Sequence, residues 1–197
     1  MTRYPDYRAA EHAAYELLLR YGQSLPVRPM TMLRDAAQVV AYEDAAEQLG
    51  LSSGAFERQY GGADAFTVRQ GNRYLVCCRT DGNPARLNFT LAHELGHIAL
   101  AHAGACEAEE READHFASCL LCPEPVRQRM LTRPGLTAED IAALCYISVP
   151  AAQAVMRRRT ASADAALLEQ IEALLGPQAD TVVPGTGHFR HPLRNAE

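Results

Sequence analysis

Thr90-Leu91-Ala92-His93-Glu94-Leu95-Gly96-His97-Ile98-Ala99-Leu100 is the stretch on which the reading of this chain turns. Successive residues of an α-helix are rotated by about 100°, so His93 and His97 share one face, one turn apart along the axis. Their imidazole nitrogens can therefore meet a single ion. Glu94 lies on the flank of the same face, where its carboxylate can reach a water on that ion without being a ligand. Leu91, Leu95, Ile98 and Ala99 point the other way, into a core. Gly96 in mid-helix costs roughly 1 kcal/mol relative to alanine. That predicts a close approach by another backbone, with a strand as the expected neighbour.

A catalytic zinc usually takes three protein ligands and keeps one position open. The third is expected downstream, among Glu107, Glu109, Glu110, Glu112 and Asp114. A first helix ending near His102, with a reversal through Ala103-Gly104-Ala105, would bring the region around 109 to 113 back level with His97, at about 1.5 Å per residue. In that window Glu109 and Glu112 share a face and Glu110 points away. The spacing favours Glu112 and keeps Glu109 as the alternative. Zinc would polarise a scissile carbonyl and acidify a water, and Glu94 would take the proton and deliver it to the leaving amine. His115, His102, Tyr74 and Arg86 are candidates for stabilising the oxyanion or contacting substrate, and spacing does not choose among them.

The rest of the chain narrows the alternatives. Hydrophobic residues make up 48% of its 197 residues, enough for a packed core. A net charge of −5 argues against a general nucleic-acid or anionic-membrane binder. No run of about 18 apolar residues is available to span a membrane. Asp6, Arg8, Glu11 and Glu16 interrupt any signal-peptide pattern, so the expected location is the cytoplasm. The six cysteines are expected as free thiols, most of them buried. Cys119 and Cys122 form C-x-x-C on an apolar helix end, and Cys77-Cys78 is read as a strand pair with one side chain facing the core and one facing away.

Apolar spacing predicts a helix from about Asp6 to Tyr21, an extended Leu25-Pro26-Val27-Arg28-Pro29, a helix over about Met30 to Gln38, a strand near Val39 to Tyr42 and a short helix to Gln48. Gly61-Gly62 breaks the chain. Ala65 to Arg69 and Arg73 to Arg79 read as a hairpin turning at Gln70-Gly71-Asn72. Helices are expected over about 85–102, 108–121, 138–145 with Thr137 as N-cap, 149–159 with Ser148 as N-cap, and Ala163 to Leu175. The fold class is α+β: a mainly helical catalytic core with a small antiparallel hairpin and a C-terminal helical bundle of helix-turn-helix type. The expected divisions are 1–130 for the catalytic domain, 131–176 for a helical subdomain packed on it, and 177–197 for a flexible tail.

Phe89-Thr90-Leu91-Ala92-His93-Glu94-Leu95-Gly96-His97, followed by Glu112-Ala113-Asp114-His115-Phe116-Ala117-Ser118-Cys119-Leu120-Leu121-Cys122-Pro123, resembles the two motifs of the ImmA/IrrE metallopeptidase family. Leu25-Pro26-Val27 and Asn83-Pro84-Ala85-Arg86 add family-like features, and the resemblance covers roughly residues 10 to 160. It implies a thermolysin-like zincin core, zinc held by His93, His97 and Glu112, and Glu94 as catalytic acid and base. It also implies a protein substrate, typically a helix-turn-helix repressor of a mobile element or stress-response operon. Asp114 stands where Asn is common, and Cys122 where Met is common.

Residues 137–159 could instead be a DNA-binding helix-turn-helix with Arg157, Arg158 and Arg159 on phosphates. The apolar turn at Cys145-Tyr146-Ile147-Ser148 and the acidic chain favour a helical hairpin packed on the core, with the arginines at a helix C-terminus. A non-catalytic module of the same fold that binds a repressor is a further alternative, and the intact Glu94 argues against it. His188 and His191 are read as a solvated tail rather than a metal site.

Overall fold

Asp6 accepts a hydrogen bond from the Ala9 backbone N–H (2.9 Å), capping the first helix, and Gly22 closes it in the left-handed conformation (φ 54°). The protein is described here by a computed structural model, over residues 3–60, 62–104, 106–158 and 164–189. Gly61, Ala105, Arg159, Ala163 and His191 lie outside the described residues, as does the side chain of His188.

The elements run in the order α1 (Tyr7–Tyr21), α2 (Met30–Ala36), β1 (Gln38–Ala41), α3 (Tyr42–Gln48), α4 (Ser53–Tyr60), β2 (Ala65–Gln70), β3 (Arg73–Cys78), α5 (Pro84–Ala99) and α6 (Glu107–Leu121). Then follow α7 (Glu124–Leu131), α8 (Ala138–Cys145), α9 (Val149–Arg157), α10 (Ala165–Ala179), β4 (Val182–Val183) and β5 (His188–Phe189). The class is α+β, mostly helical.

The sheet is mixed, not purely antiparallel. β2 and β3 form the expected hairpin, Ala65 opposite Cys78 and Gln70 opposite Arg73. β1 joins β3 in parallel, with Gln38 opposite Leu75. The strand order β1-β3-β2 leaves β2 at an edge. Both faces of the sheet are covered. Val76 and Cys78 enter the main core with α1, α5 and α6, while Cys77 enters a second cluster with Tyr42, Ala46 and Phe56. The side of the Cys77-Cys78 pair read as facing away therefore faces a small second core, built by α3 and by α4. All six cysteines are free, and only Cys106 is exposed.

α5 starts on Pro84 with Asn83 as cap, its side chain accepting from Ala85 N–H (2.9 Å) and Arg86 N–H (3.2 Å). It stops at Ala99, earlier than the periodicity suggests. Ala101 turns left-handed (φ 53°), and the His102 N–H folds back onto the His97 carbonyl (3.0 Å). α6 then returns along α5. The close approach at Gly96 is made by this helix rather than a strand. A Cβ on Gly96 would meet Phe116 Cδ1 at 2.9 Å and the Ala113 Cα at 3.2 Å. Phe116 is fully buried and cannot yield easily. Overpacking costs about 1–3 kcal/mol, against a helix-propensity gain of about 1 kcal/mol. Gly96→Ala is thus expected to destabilise the protein by up to about 2 kcal/mol in urea unfolding; an unchanged midpoint would show that the helix pair can spread.

The C-terminal part differs from the expected tail. α10 continues through Pro177 to Ala179, and a hairpin of β4 and β5 follows. The fully buried Asp140 of α8 holds that hairpin by accepting from Gly185 N–H and Gly187 N–H (both 2.8 Å). Arg158, which the DNA-binding alternative would set on phosphates, turns inward. Its guanidinium donates to Ser118 Oγ (2.7 Å) and the Cys122 carbonyl (3.0 Å) and pairs with Glu124 (3.3 Å). No helix among the described residues is long and apolar enough to cross a membrane.

Candidate metal centre

His93 and His97 project from the same face of α5, their Nε2 atoms 3.0 Å apart. Leu91, Ala92 and Leu95 hold that helix in the core, so the two imidazoles stand at its border with a cleft. From α6, Glu110 brings Oε2 to 3.3 Å from His93 Nε2 and Oε1 to 3.6 Å from His97 Nε2. Four-coordinate zinc with ligands at about 2.0–2.1 Å places neighbouring donor atoms about 3.3 Å apart. The separations here suit such an ion, and so does the chemistry: two imidazoles and one carboxylate, each with one ligand atom within 4.8 Å of the others.

Asp114 Oδ1 lies 2.8 Å from His93 Nδ1. An ionised carboxylate only accepts, so neutral His93 carries its proton on Nδ1 and keeps the Nε2 lone pair for an ion. Burial lowers the His93 pKa, but the hydrogen bond and charge of Asp114, with Glu94 and Glu110, outweigh it and the pKa ends above its ordinary value. Burial, then the neighbouring His93 charge, brings His97 down to about 4, so His97 is neutral near neutral pH. The carboxylates thus favour positive charge between them, and a metal ion would compete there with a proton.

His97 Nδ1 faces His102 Nδ1 at 2.9 Å, and His102 Nε2 faces Glu112 Oε2 at 2.9 Å. Glu112 also accepts from the Asp6 backbone N–H (2.6 Å) and from Arg3 Nη2 (2.8 Å to Oε2). Glu109 accepts from Arg3 Nη1 (3.0 Å) and the Ala103 N–H (3.4 Å), tying down the turn between α5 and α6.

Of the carboxylates weighed for the third ligand, the structure brings Glu110 to the imidazole pair, while Glu112 meets His102 and Glu109 meets Arg3. At about 100° per residue, Glu110 and Asp114 share one flank of the Ala113–Phe116–Ala117 stripe, and Glu112 occupies the other. Because α5 ends three residues early, α6 is met from a different angle, and the first flank faces the cleft. The spacing Glu110-x-x-x-Asp114, four apart on one face, was the available signal. A second residue missed by sequence reasoning is Thr67 of β2, whose hydroxyl donates to Glu94 Oε2 at 2.5 Å. Nothing local links residues 67 and 94. Glu94 is 7% exposed. Burial raises its pKa, opposed by the Thr67 hydrogen bond.

The cleft beside the cluster measures about 840 Å³ and runs along edge strand β2. Tyr74 and Arg86 line it, Arg86 being paired with Asp64. His102 borders it but is spent on His97 and Glu112. His115, proposed from sequence as an oxyanion or substrate group, does not belong to this wall. Its ring packs on Tyr7 of α1 (centroids 4.9 Å), because it leaves α6 on the far side from the cleft. Burial and the nearby Arg158 charge lower its pKa to about 4.

A family model described as the IrrE N-terminal-like domain, peptidase M78, matches residues 39–157, from within β1 to the end of α9. No match is found among curated proteins. More than half of the chain, including every element that carries the histidine and carboxylate cluster, falls within that match, and the chain belongs to the ImmA/IrrE family of peptidases.

Proposed function

We propose that this protein is a zinc-dependent endopeptidase of the cytoplasm that cleaves a helix-turn-helix repressor, with His93, His97 and Glu110 holding the metal and Glu94 as the catalytic acid and base. The observation that carries the reading is the convergence of two imidazole Nε2 atoms and one carboxylate at spacings of 3.0–3.6 Å, open to a cleft. Zinc at such a site supplies Lewis acidity, polarising the scissile carbonyl and acidifying a water. Glu94 would take the proton from the attacking water and return it to the leaving amine. Its burial favours the protonated form, which suits the second task, and the Thr67 hydroxyl orients its carboxylate. Asp114 keeps the His93 proton on Nδ1.

β2 has β3 on one side only, and its other edge borders the cleft. An extended peptide can hydrogen-bond along such an edge, which favours cleavage within a loop or linker of a folded protein. Tyr74 and Arg86, which line the cleft, are the side chains assigned here to meet an oxyanion or the substrate chain. The repressor as substrate rests on the resemblance of the two motifs.

The test mixes the purified protein, with one equivalent of zinc, with the repressor encoded nearest to its gene. Discrete fragments are expected by mass spectrometry. They should vanish with a zinc chelator and return on adding zinc. A stable complex with an intact repressor would instead support a binding module.

A further inference from the structure

His102 and Glu112 have no place in the mechanism above, yet they are among the most deeply buried polar groups of the chain, with side chains 2% and 3% exposed. Polar side chains are rarely buried this far without a fixed set of partners. Among the described residues, the hydrogen-bond partners of the Glu112 carboxylate are donors: the Asp6 N–H at 2.6 Å, Arg3 Nη2 at 2.8 and 3.1 Å, and His102 Nε2 at 2.9 Å. His102 must therefore present N–H at Nε2, which leaves the lone pair of its neutral ring on Nδ1. That lone pair faces His97 Nδ1 at 2.9 Å, so His97 must carry its own proton there. The His97 Nε2 lone pair is then free and aimed at the point it shares with His93.

We infer that His102 and Glu112 are positioning residues that set the tautomer and ring orientation of His97, and so its affinity for the metal. The inference rests on His97 being a ligand, as proposed above. The two ligand histidines are supported by different means. His93 is held directly by Asp114, whose side chain is 62% exposed. His97 is held through a buried pair that depends on the backbone reversal at Ala101 and on the segment before α1. The left-handed Ala101 is what carries His102 back beneath His97, an uncommon conformation for a residue with a Cβ. Arg3 and the Asp6 N–H complete the carboxylate's partners, so the N-terminal segment is part of the support of the metal centre.

The pattern makes a distinctive demand on position 102: accept on one side and donate on the other. Glutamine can do both, its carbonyl accepting from His97 and its amide donating to Glu112. Leucine fills the volume and can do neither. The experiment is a competition titration of zinc against a chromophoric chelator, on wild type, His102→Gln, His102→Leu and Arg3→Ala. The apo proteins are melted in parallel to confirm that each is folded. Loss of an outer partner of a metal-bound histidine weakens binding about 10–100-fold. His102→Leu is expected in that range and His102→Gln close to wild type. Arg3→Ala, at a surface position that leaves the core intact and one partner further from the ligand, should weaken binding by less than about tenfold.

Equal affinities for wild type and His102→Leu would overturn the inference. So would His102→Gln binding no better than His102→Leu, which would mean that volume alone matters. Should His102→Leu fail to fold, Arg3→Ala with unchanged affinity would overturn it by itself. A wild type that takes up no zinc would instead sink the metal-centre reading beneath it.

Discussion

Replacing Glu94 by glutamine is expected to lower the cleavage rate by about 10²–10⁴-fold, the usual contribution of a positioned acid or base, while leaving the metal content unchanged. Glutamine is nearly isosteric with glutamate, and its carbonyl oxygen can keep the bond from the Thr67 hydroxyl. The cluster suited to hold an ion consists of His93, His97 and Glu110, so the amide removes none of its ligand atoms. What it removes is the capacity to take a proton. Single-turnover cleavage and elemental analysis of the same sample make the check. Near-normal turnover would mean that another group takes the proton. Loss of metal alongside loss of activity would mean that Glu94 belongs to the ligand set.

The second large effect is on metal binding itself. Glu110→Ala is expected to weaken zinc binding on the order of 10²–10³-fold. Apparent binding energies of about 10–16 kcal/mol for four-ligand zinc sites correspond to about 2.5–4 kcal/mol per ligand, and each 1.4 kcal/mol is about tenfold. The alanine leaves the two imidazoles, with Asp114 still on His93 Nδ1. Glu112→Ala, acting only through His102, should fall short of this, within about 10–100-fold. The order of the two carboxylates is therefore the discriminating observation. If Glu112→Ala loses the metal and Glu110→Ala keeps it, the arrangement drawn here is wrong and Glu112 is the direct ligand.

Much of the fold was legible because it is local. Helix α1, the β2–β3 hairpin and helix α6 begin and end within a residue or two of the expected positions. Each has its own punctuation: Asp6 and Gly22, Gly71 in its left-handed turn (φ 62°), and Cys122-Pro123. Helices α4 and α7 went unread for opposite reasons. α4 carries few apolar residues, only Phe56 being fully committed to a core. α7 follows Pro123 and has Pro125 in its first turn, where proline starts a helix as readily as it stops one. The terminal hairpin depends on Asp140, more than forty residues away, and no pattern within 177–189 announces it.

The candidate site divides along the same line. That His93 and His97 share a face with Glu94 on their flank is a consequence of 3.6 residues per turn, and the sequence alone determined it. The family was likewise visible in two contiguous motifs. Which carboxylate meets the imidazoles was decided by the tertiary structure. It depends on how α6 is rotated about its own axis, which the seating of Phe116 and Ala113 on Gly96 sets, and on the early reversal at Ala101. A helix offers its periodicity to any reader of the chain, but its angle of rotation against a neighbour exists only once the two surfaces have packed.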